Sequence, residues 1–278
     1  MSVLTFDATR RTAPHRTRRP VTVVVPTVDE AATIGPICRA LVALRAEGVC
    51  DRVLVVDESS DETARIARSA GAEVLRQSSI VPGAGAVRGK GDAMWRAVHA
   101  CDDGIVAFVD GDTVDFDPLV VRRLVAAATS GRADFVKATY RRPWDDGRTR
   151  RPTGGGRVTE LAAKPLLRQL FPELASFGQP LAGEIAGTTD LLRSLPFVTG
   201  YGVDVALLID AWRTVGSSRL AEVSAPPRQN RHRPLEELAG MADEVVGTIL
   251  ARAGIGAVGG PIERPPLGPL SPHPELAA

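Results

Sequence analysis

Asp110, Gly111 and Asp112 stand together after the apolar run Gly104–Val109. Two carboxylates one small residue apart can share a divalent ion, and hard oxygen ligands suit Mg2+ or Mn2+ bridging a diphosphate. A plain turn uses the same residue types, but the preceding run reads as a central strand and Asp57 ends the neighbouring one, which favours the metal. Lys90 offers the complementary charge. It sits in Gly83-Ala-Gly-Ala-Val-Arg-Gly-Lys-Gly91, just before a helical pattern over Asp92–Ala100. This stretch is not a phosphate loop, because Ala84 and Gly91 stand where Gly and Ser or Thr are required. Nor is it a dinucleotide fingerprint, because Arg88 stands where the last Gly belongs. What remains is an ammonium between glycines, suited to a phosphate or sugar oxygen.

Two further stretches could hold anions. Thr153-Gly-Gly-Gly-Arg-Val-Thr159 runs into a helix. Free N–H groups, the positive helix end, the Arg157 guanidinium and the Thr159 hydroxyl could converge there on a phosphate or carboxylate, where the plain alternative is a loop with a helix cap. Arg228-Gln-Asn-Arg-His-Arg233 is a short basic cluster, a solvated charge run unless it folds over the crevice.

The elements that must position these groups follow from periodicity. Val21–Val25, Val53–Val56, Ala72–Leu75 and Gly104–Val109 read as strands, separated by helical patterns at Ile34–Leu41 and Thr63–Ala70. Apolar strands alternating with amphipathic helices predict a largely parallel α/β sheet with helices on both faces, its ligands gathered beyond the carboxyl ends of the strands. Four such ends would face one crevice: Pro26–Glu30, Asp57–Ser60, the glycine-rich stretch and Asp110–Asp112. Further helices are expected at Val158–Leu170, Val203–Val215 and Leu235–Ala253. The expected organisation is an Arg-rich disordered arm (1–19), an α/β region bearing the crevice (20–134), an acceptor-binding extension continuous with it (135–256) and a Pro/Gly-rich tail (257–278), with both ends outside the fold.

The 278 residues carry 34 Lys+Arg against 33 Asp+Glu, a net charge of +1, so there is no general basic field for nucleic acid. No apolar run approaches the roughly 18 residues of a membrane span. The three cysteines, Cys38, Cys50 and Cys101, form neither a disulfide framework nor a zinc motif, which fits a reducing cytoplasm.

In their order and spacing several segments resemble the glucosyl-3-phosphoglycerate synthase family, actinobacterial retaining glycosyltransferases of GT-A fold. They are Pro26-Thr-Val-Asp-Glu30, Gly89-Lys-Gly91, Val109-Asp-Gly-Asp112, Tyr140-Arg-Arg-Pro143, Gly154–Leu161, Gln179-Pro-Leu181 with Gly183-Glu184, Gly200-Tyr-Gly-Val203 and Arg233-Pro-Leu235. The resemblance spans about Val21 to Gly254. It implies that Pro26, Val28 and Glu30 hold uracil and ribose, with Glu58 beside them. Lys90 would lie by the donor sugar and phosphates, and Asp110, Gly111 and Asp112 would bind the sugar-nucleotide and its Mg2+ or Mn2+. Gly156, Arg157, Val158 and Thr159, helped by Tyr201, would cradle the acceptor's phosphate or carboxylate. Leu181 would offer its backbone to acceptor and glucose, and Arg228, Arg231 and Arg233 would clamp the diphosphate. Lys90, Leu181 and Asp204 are the expected catalytic set.

Three positions depart from the family pattern. Glu58 replaces a small residue and adds negative charge near the nucleotide. The family's metal-binding histidine falls at Asn230, with His232 two residues on, so either could complete the metal site. Asp204 replaces a glutamate one methylene longer. The resemblance implies a retaining, metal-dependent transfer, most simply of glucose from UDP-glucose to 3-phosphoglycerate or a similar small anion, by a cytoplasmic homodimer. The alternatives are a sister enzyme using GDP-mannose, GDP-glucose, UDP-N-acetylglucosamine or another acceptor in natural-product biosynthesis, and a non-catalytic nucleotide-binding homologue. A nucleotidyltransferase is disfavoured, because Pro26–Glu30 lacks its Gly-rich loop.

Overall fold

Runs of β-branched residues become strands, and the computed structural model, which describes residues 4–5, 19–145, 150–228, 235–256 and 260–268, places twelve among them. In chain order the strands are β1 (Leu4–Thr5), β2 (Val21–Thr27), β3 (Arg52–Asp57), β4 (Glu73–Arg76), β5 (Ile105–Phe108), β6 (Phe135–Thr139), β7 (Pro143–Asp145), β8 (Arg150–Gly154), β9 (Ile185–Thr188), β10 (Phe197–Val198), β11 (Leu220–Ser224) and β12 (Glu263–Arg264). The helices are α1 (Ile34–Ala46), α2 (Thr63–Ser69), α3 (Lys90–His99), α4 (Leu119–Thr129), α5 (Lys164–Leu170), α6 (Thr189–Ser194), α7 (Val203–Val215) and α8 (Leu235–Arg252).

Eight strands form one sheet in the order β1-β11-β6-β9-β5-β2-β3-β4, parallel throughout except for β9, which runs antiparallel to both β5 and β6. The two-residue strand period divides the core. Val24, Leu54, Val56, Val106 and Phe108 face α3, α7 and α8, whereas Val23, Val25, Val53, Val55 and Ala107 face α1 and α4. Each of these valine, leucine and phenylalanine side chains, fully buried, contributes about 1.5–3 kcal/mol relative to exposure. With helices on both faces the strands have no polar side, which is why they read as unbroken apolar runs.

The expected helix over Val158–Leu170 is present, but it opens with a π-helical turn at Thr159–Ala163 before α5. Such bulges concentrate at functional sites. β9 was not expected, because Ile-Ala-Gly-Thr is short and carries no alternation. The exclusion of both ends from the fold also needs correction. Leu4–Thr5 pair in parallel with Ala221–Glu222 at the sheet edge, and Glu263–Arg264 pair antiparallel with Phe197–Val198. Pro/Gly-rich composition limits what a segment can bury of its own, but not its use of polar groups to bind an existing surface.

Candidate active site

The end of β2 is fastened before it is functional. Thr27 Oγ1 donates to Asp57 Oδ1 at 2.7 Å and Ser59 Oγ donates to the same oxygen at 2.5 Å. Asp57, which the sequence reading set beside the metal pair, is thus engaged in joining β2 to β3. Half-buried Pro26 lies opposite Val56 in that ladder, and Val28 follows with its side chain exposed. Asp29 takes a left-handed conformation (φ 57°), and the next backbone N–H, that of Glu30, donates to Thr63 Oγ1 at 2.8 Å. Thr33 Oγ1 lies 2.6 Å from the Gly111 carbonyl oxygen and 3.3 Å from Glu30 Oε2, which ties this turn to the Asp110–Asp112 turn. Gly111 has to be small, because a Cβ there would come within 2.8 Å of Thr27 Cγ2.

The charged centre forms where α3, the end of β5, the approach to β9 and the start of α7 meet. Gly89, at φ 81°, turns the chain so that α3 begins with Lys90. Lys90 Nζ lies 2.8 Å from Asp110 Oδ1 and 3.0 Å from Asp204 Oδ2. Arg228 comes from the other side, 3.0 Å from Asp110 Oδ2 and 3.1 Å from Asp112 Oδ1, and it also pairs with Glu184. Tyr140 donates to Glu184 Oε2 at 2.8 Å and accepts from Arg142 at 3.2 Å. Gly183 packs against the cluster: a Cβ on it would lie 2.5 Å from Lys90 Nζ and 2.7 Å from Asp110 Cγ. The turn that includes Leu181 is therefore held directly beside the lysine and aspartate.

Burial and neighbouring charge set the ionisation. Desolvation works against charge on Lys90 and Asp110, yet their mutual attraction, with Asp204 on one and Arg228 on the other, raises the ammonium above its ordinary range and holds the Asp110 carboxyl well below its own. Burial pushes the Asp204 carboxyl up, opposed by Lys90 and Lys137. Lys137, fully buried on β6, is brought down to about 8 by desolvation, and its Nζ donates to the carbonyls of Ala182 at 2.7 Å and Asp204 at 3.1 Å.

Asp110 and Asp112 both reach one positive group, the Arg228 guanidinium, so the pair can address a single cation, and its oxygens suit Mg2+ or Mn2+. Among the described residues no cluster of three or more His, Cys, Asp or Glu is arranged for a metal. Asn230, Arg231, His232 and Arg233 lie outside the described residues.

The expected acceptor loop is carried by the β7–β8 hairpin, which puts Pro143 opposite Gly154. Gly155 N–H donates to the Arg142 carbonyl at 3.1 Å, and a Cβ on Gly155 would lie 2.6 Å from the Pro143 carbonyl oxygen. The Arg157 guanidinium stacks over Trp144, 5.2 Å from the ring centroid. Val158 and Thr159 are buried, with Thr159 the first residue of the π-helical turn. A cleft of about 660 Å3 lies between this loop and the centre, lined by Tyr140, Arg142, Gly155, Lys164 and Gln179, and the buried Gln179 Oε1 accepts no hydrogen bond from the described residues. Tyr201, half-exposed, lies in the turn just before α7 and gives its N–H to Glu244 on α8 at 2.7 Å.

The chain's relatives match this arrangement. A profile described as glycosyltransferase like family 2 matches residues 18–154. Glucosyl-3-phosphoglycerate synthase of Mycolicibacterium smegmatis is 42% identical over 239 residues, covering 85% of this chain and 78% of its own, and that of Petrotoga mobilis is 38% identical, covering 84% and 73%. The chain belongs to the glucosyl-3-phosphoglycerate synthase family. The crystal structure of the Mycobacterium tuberculosis synthase in complex with Mn2+, UDP and phosphoglyceric acid superposes with a TM-score of 0.81 at 37% identity, over 90% of each chain. The same enzyme with Mg2+ and UDP gives 0.80 at 38% identity, over 90% of this chain and 91% of that one. The sheet is thus of GT-A type.

Within a glucosyl-3-phosphoglycerate synthase framework, Glu58 does not face the nucleotide side as an unpaired charge. Burial works to raise this carboxyl, but its carboxylate accepts from Ser78 N at 2.8 Å and Arg76 Nε at 3.0 Å, and together these partners keep it below the ordinary range. Tyr140, Arg142, Gly183 and Glu184 carry no role legible from residue type alone, although all four fall in segments that resemble the family. Lys137 was missed, and the signal was there: Phe-Val-Lys-Ala-Thr puts a lysine inside an apolar strand.

Proposed function

We propose that this chain transfers glucose from UDP-glucose to 3-phosphoglycerate with retention at the anomeric carbon. The observation that carries the reading is the packing of the Leu181–Gly183 turn onto the Lys90–Asp110–Asp204 cluster. It puts the backbone suited to an acceptor hydroxyl beside the groups suited to a sugar diphosphate. Val28 and Pro26 would flank the base, with Glu30 by the ribose. Mn2+ or Mg2+ on Asp112 and Asp110 supplies positive charge against the leaving diphosphate. Arg228 then exchanges its carboxylate partners for phosphate oxygens, joined by Arg231 and Arg233, and Lys90 orients the β-phosphate and sugar. The shorter Asp204 keeps Lys90 in place and presents Oδ1, which has no hydrogen-bond partner among the described residues, toward sugar hydroxyls. The acceptor hydroxyl attacks from the face the diphosphate leaves, through an oxocarbenium-like transition state that needs no protein nucleophile, and its proton passes to the departing diphosphate oxygen as the bond from sugar to phosphate oxygen breaks.

Residues 135–256 supply the acceptor side, with Gly156, Arg157 and the positive start of the Thr159 turn holding the acid or phosphate and Tyr201 closing one wall. Asn230 or His232 completes the metal site. The three cysteines are buried and not joined in a disulfide, which suits a reducing cytoplasm. Among the described residues no helix is long and apolar enough to cross a membrane. A homodimer is part of the reading and is tested by light scattering.

The test of the reaction is incubation of purified protein with UDP-glucose, 3-phosphoglycerate and Mn2+ or Mg2+, following UDP release and the glucosylated acid by mass spectrometry. GDP-glucose, GDP-mannose and UDP-N-acetylglucosamine run in parallel. Turnover only with one of these would reassign the donor, and none with any donor would leave a nucleotide-binding homologue.

A further inference from the structure

The loop that delivers Lys90 has little regular structure of its own. Between Ile80 and Gly89 it contains one short 3-10 turn and a left-handed Val81 at φ 52°. Such a backbone must satisfy its carbonyls elsewhere. Two guanidinium groups do this. The fully buried Arg96, on α3, donates to the carbonyls of Ile80, Val81 (3.1 Å) and Gly85 (2.8 Å). Arg264, on β12, donates to Ala84 at 2.5 Å and Ala86 at 2.9 Å. Both also bind the carboxylate of Asp92, which has no exposed surface: Arg264 Nε at 2.5 Å from Oδ1 and Arg96 Nε at 3.1 Å from Oδ2. Asp92 Oδ2 in turn accepts the N–H of Arg88, two residues before Lys90, at 3.0 Å. Arg264 therefore acts on both sides of the lysine, on the loop before it and on the first turn after it.

The segment bearing Arg264 is fixed along its length. The Ile262 carbonyl accepts from Thr199 N at 2.9 Å, and the Thr199 carbonyl accepts from Gly91 N at 3.0 Å. Glu263 pairs with Arg252 at 2.5 Å, Trp95 Nε1 donates to the Pro265 carbonyl at 2.8 Å, and Leu267 N donates to the Arg193 carbonyl at 2.8 Å. Arg264 also lies over the Trp95 ring, 5.5 Å from its centroid. β12 pairs with β10, from which the chain passes through Gly200–Gly202 to Asp204, the partner of Lys90. One short segment thus braces both members of the Lys90–Asp204 pair.

We propose that Arg264 is a positioning residue for the donor side of the reaction: through Asp92 and the Ala84 and Ala86 carbonyls it holds the 80–89 loop so that Lys90 meets the sugar diphosphate in a fixed place. This rests on the reading of Lys90 as a donor-binding group. Arg264 touches no reacting atom, so its loss should loosen donor binding and leave acceptor binding alone. Lysine at 264 keeps the charge for Asp92 but cannot span three acceptors in a fork, so it restores only part.

The test compares wild type, Arg264→Gln and Arg264→Lys in steady-state kinetics, in titration with UDP and Mn2+, and in amide hydrogen exchange. For Arg264→Gln, KM for UDP-glucose and Kd for UDP rise about tenfold or more while the 3-phosphoglycerate KM stays within about twofold, as loss of fixed charge-assisted hydrogen bonds predicts. Exchange accelerates across residues 80–91, and Arg264→Lys falls between the two proteins. Equal changes in both substrates' KM, or unchanged kinetics and exchange with only a lower melting temperature, would overturn the proposal and leave Arg264 a stabilising contact. Lys90→Ala is measured alongside. If it binds UDP and UDP-glucose as wild type does, the reading of Lys90 fails, and exchange across 80–91 still decides whether Arg264 holds the loop.

Discussion

At the scale of single residues, the centre is an over-determined set of charges in which each carboxylate has a different task. Asp110 is enclosed between Lys90 and Arg228, whereas the Asp112 side chain keeps 45% of its surface exposed and pairs with Arg228. Asp112→Ala should therefore lower kcat/KM by about 100-fold or more, because it removes a carboxylate that would hold the divalent cation whose charge neutralises the leaving diphosphate. It should shift the melting temperature by no more than about 3 °C, since a half-exposed ion pair contributes little to stability. Retained activity in excess chelator would sink the metal's role. Lys137 makes a prediction about pH. Burial lowers its ammonium from 10.5 to about 8, so between those values the unfolded chain binds a proton that the folded chain has released, and stability rises with pH across that window. In Lys137→Met this contribution is absent. The difference in unfolding free energy by urea titration should shift in favour of wild type from pH 8 to 10, and a constant difference would show that Lys137 stays charged.

At the scale of elements, close backbone approach decides where the site's helices stand. A Cβ on Gly91 would fall inside the envelope of the Val198 carbonyl oxygen, and one on Gly202 would meet Thr248 on α8. Gly91→Ala should push α3 off β10, costing about 1–3 kcal/mol of stability, and raise the UDP-glucose KM because Lys90 moves with the helix. Urea titration and donor kinetics together test this, and an unchanged donor KM would separate Lys90 from the helix position. Strands β2 to β5 were legible as apolar runs and helices α1 to α3 by their helical period, whereas α4 (Leu119–Thr129) was not read from the sequence. The carboxylate pair was legible too, because Asp-Gly-Asp follows a run that reads as a central strand. The links that assemble the site were not: Lys137 to Ala182, Tyr140 to Glu184 and Arg264 to Asp92 are separated by 45, 44 and 172 residues, and no local pattern carries such a pairing. Glu58 shows the converse. Its charge was legible, but not the Arg76 and Ser78 that neutralise it.

At the scale of the whole molecule, the donor and acceptor regions are not separable units. β9, from the second half of the chain, lies between β5 and β6 and hydrogen-bonds to both. A fragment comprising residues 20–134 would leave the fully buried Ile105–Phe108 with an open edge, and it should aggregate, as read by light scattering and thioflavin binding. A soluble, cooperatively unfolding fragment would show that the first region stands alone. The same antiparallel strand puts a clock on synthesis. At about 5–20 residues per second, the roughly 80 residues separating Phe108 from Ile185 take on the order of 4–16 s to translate. Throughout that interval the emerging polypeptide presents its most apolar strand half-paired, which makes β5 the stretch that a ribosome-associated chaperone would most need to shield.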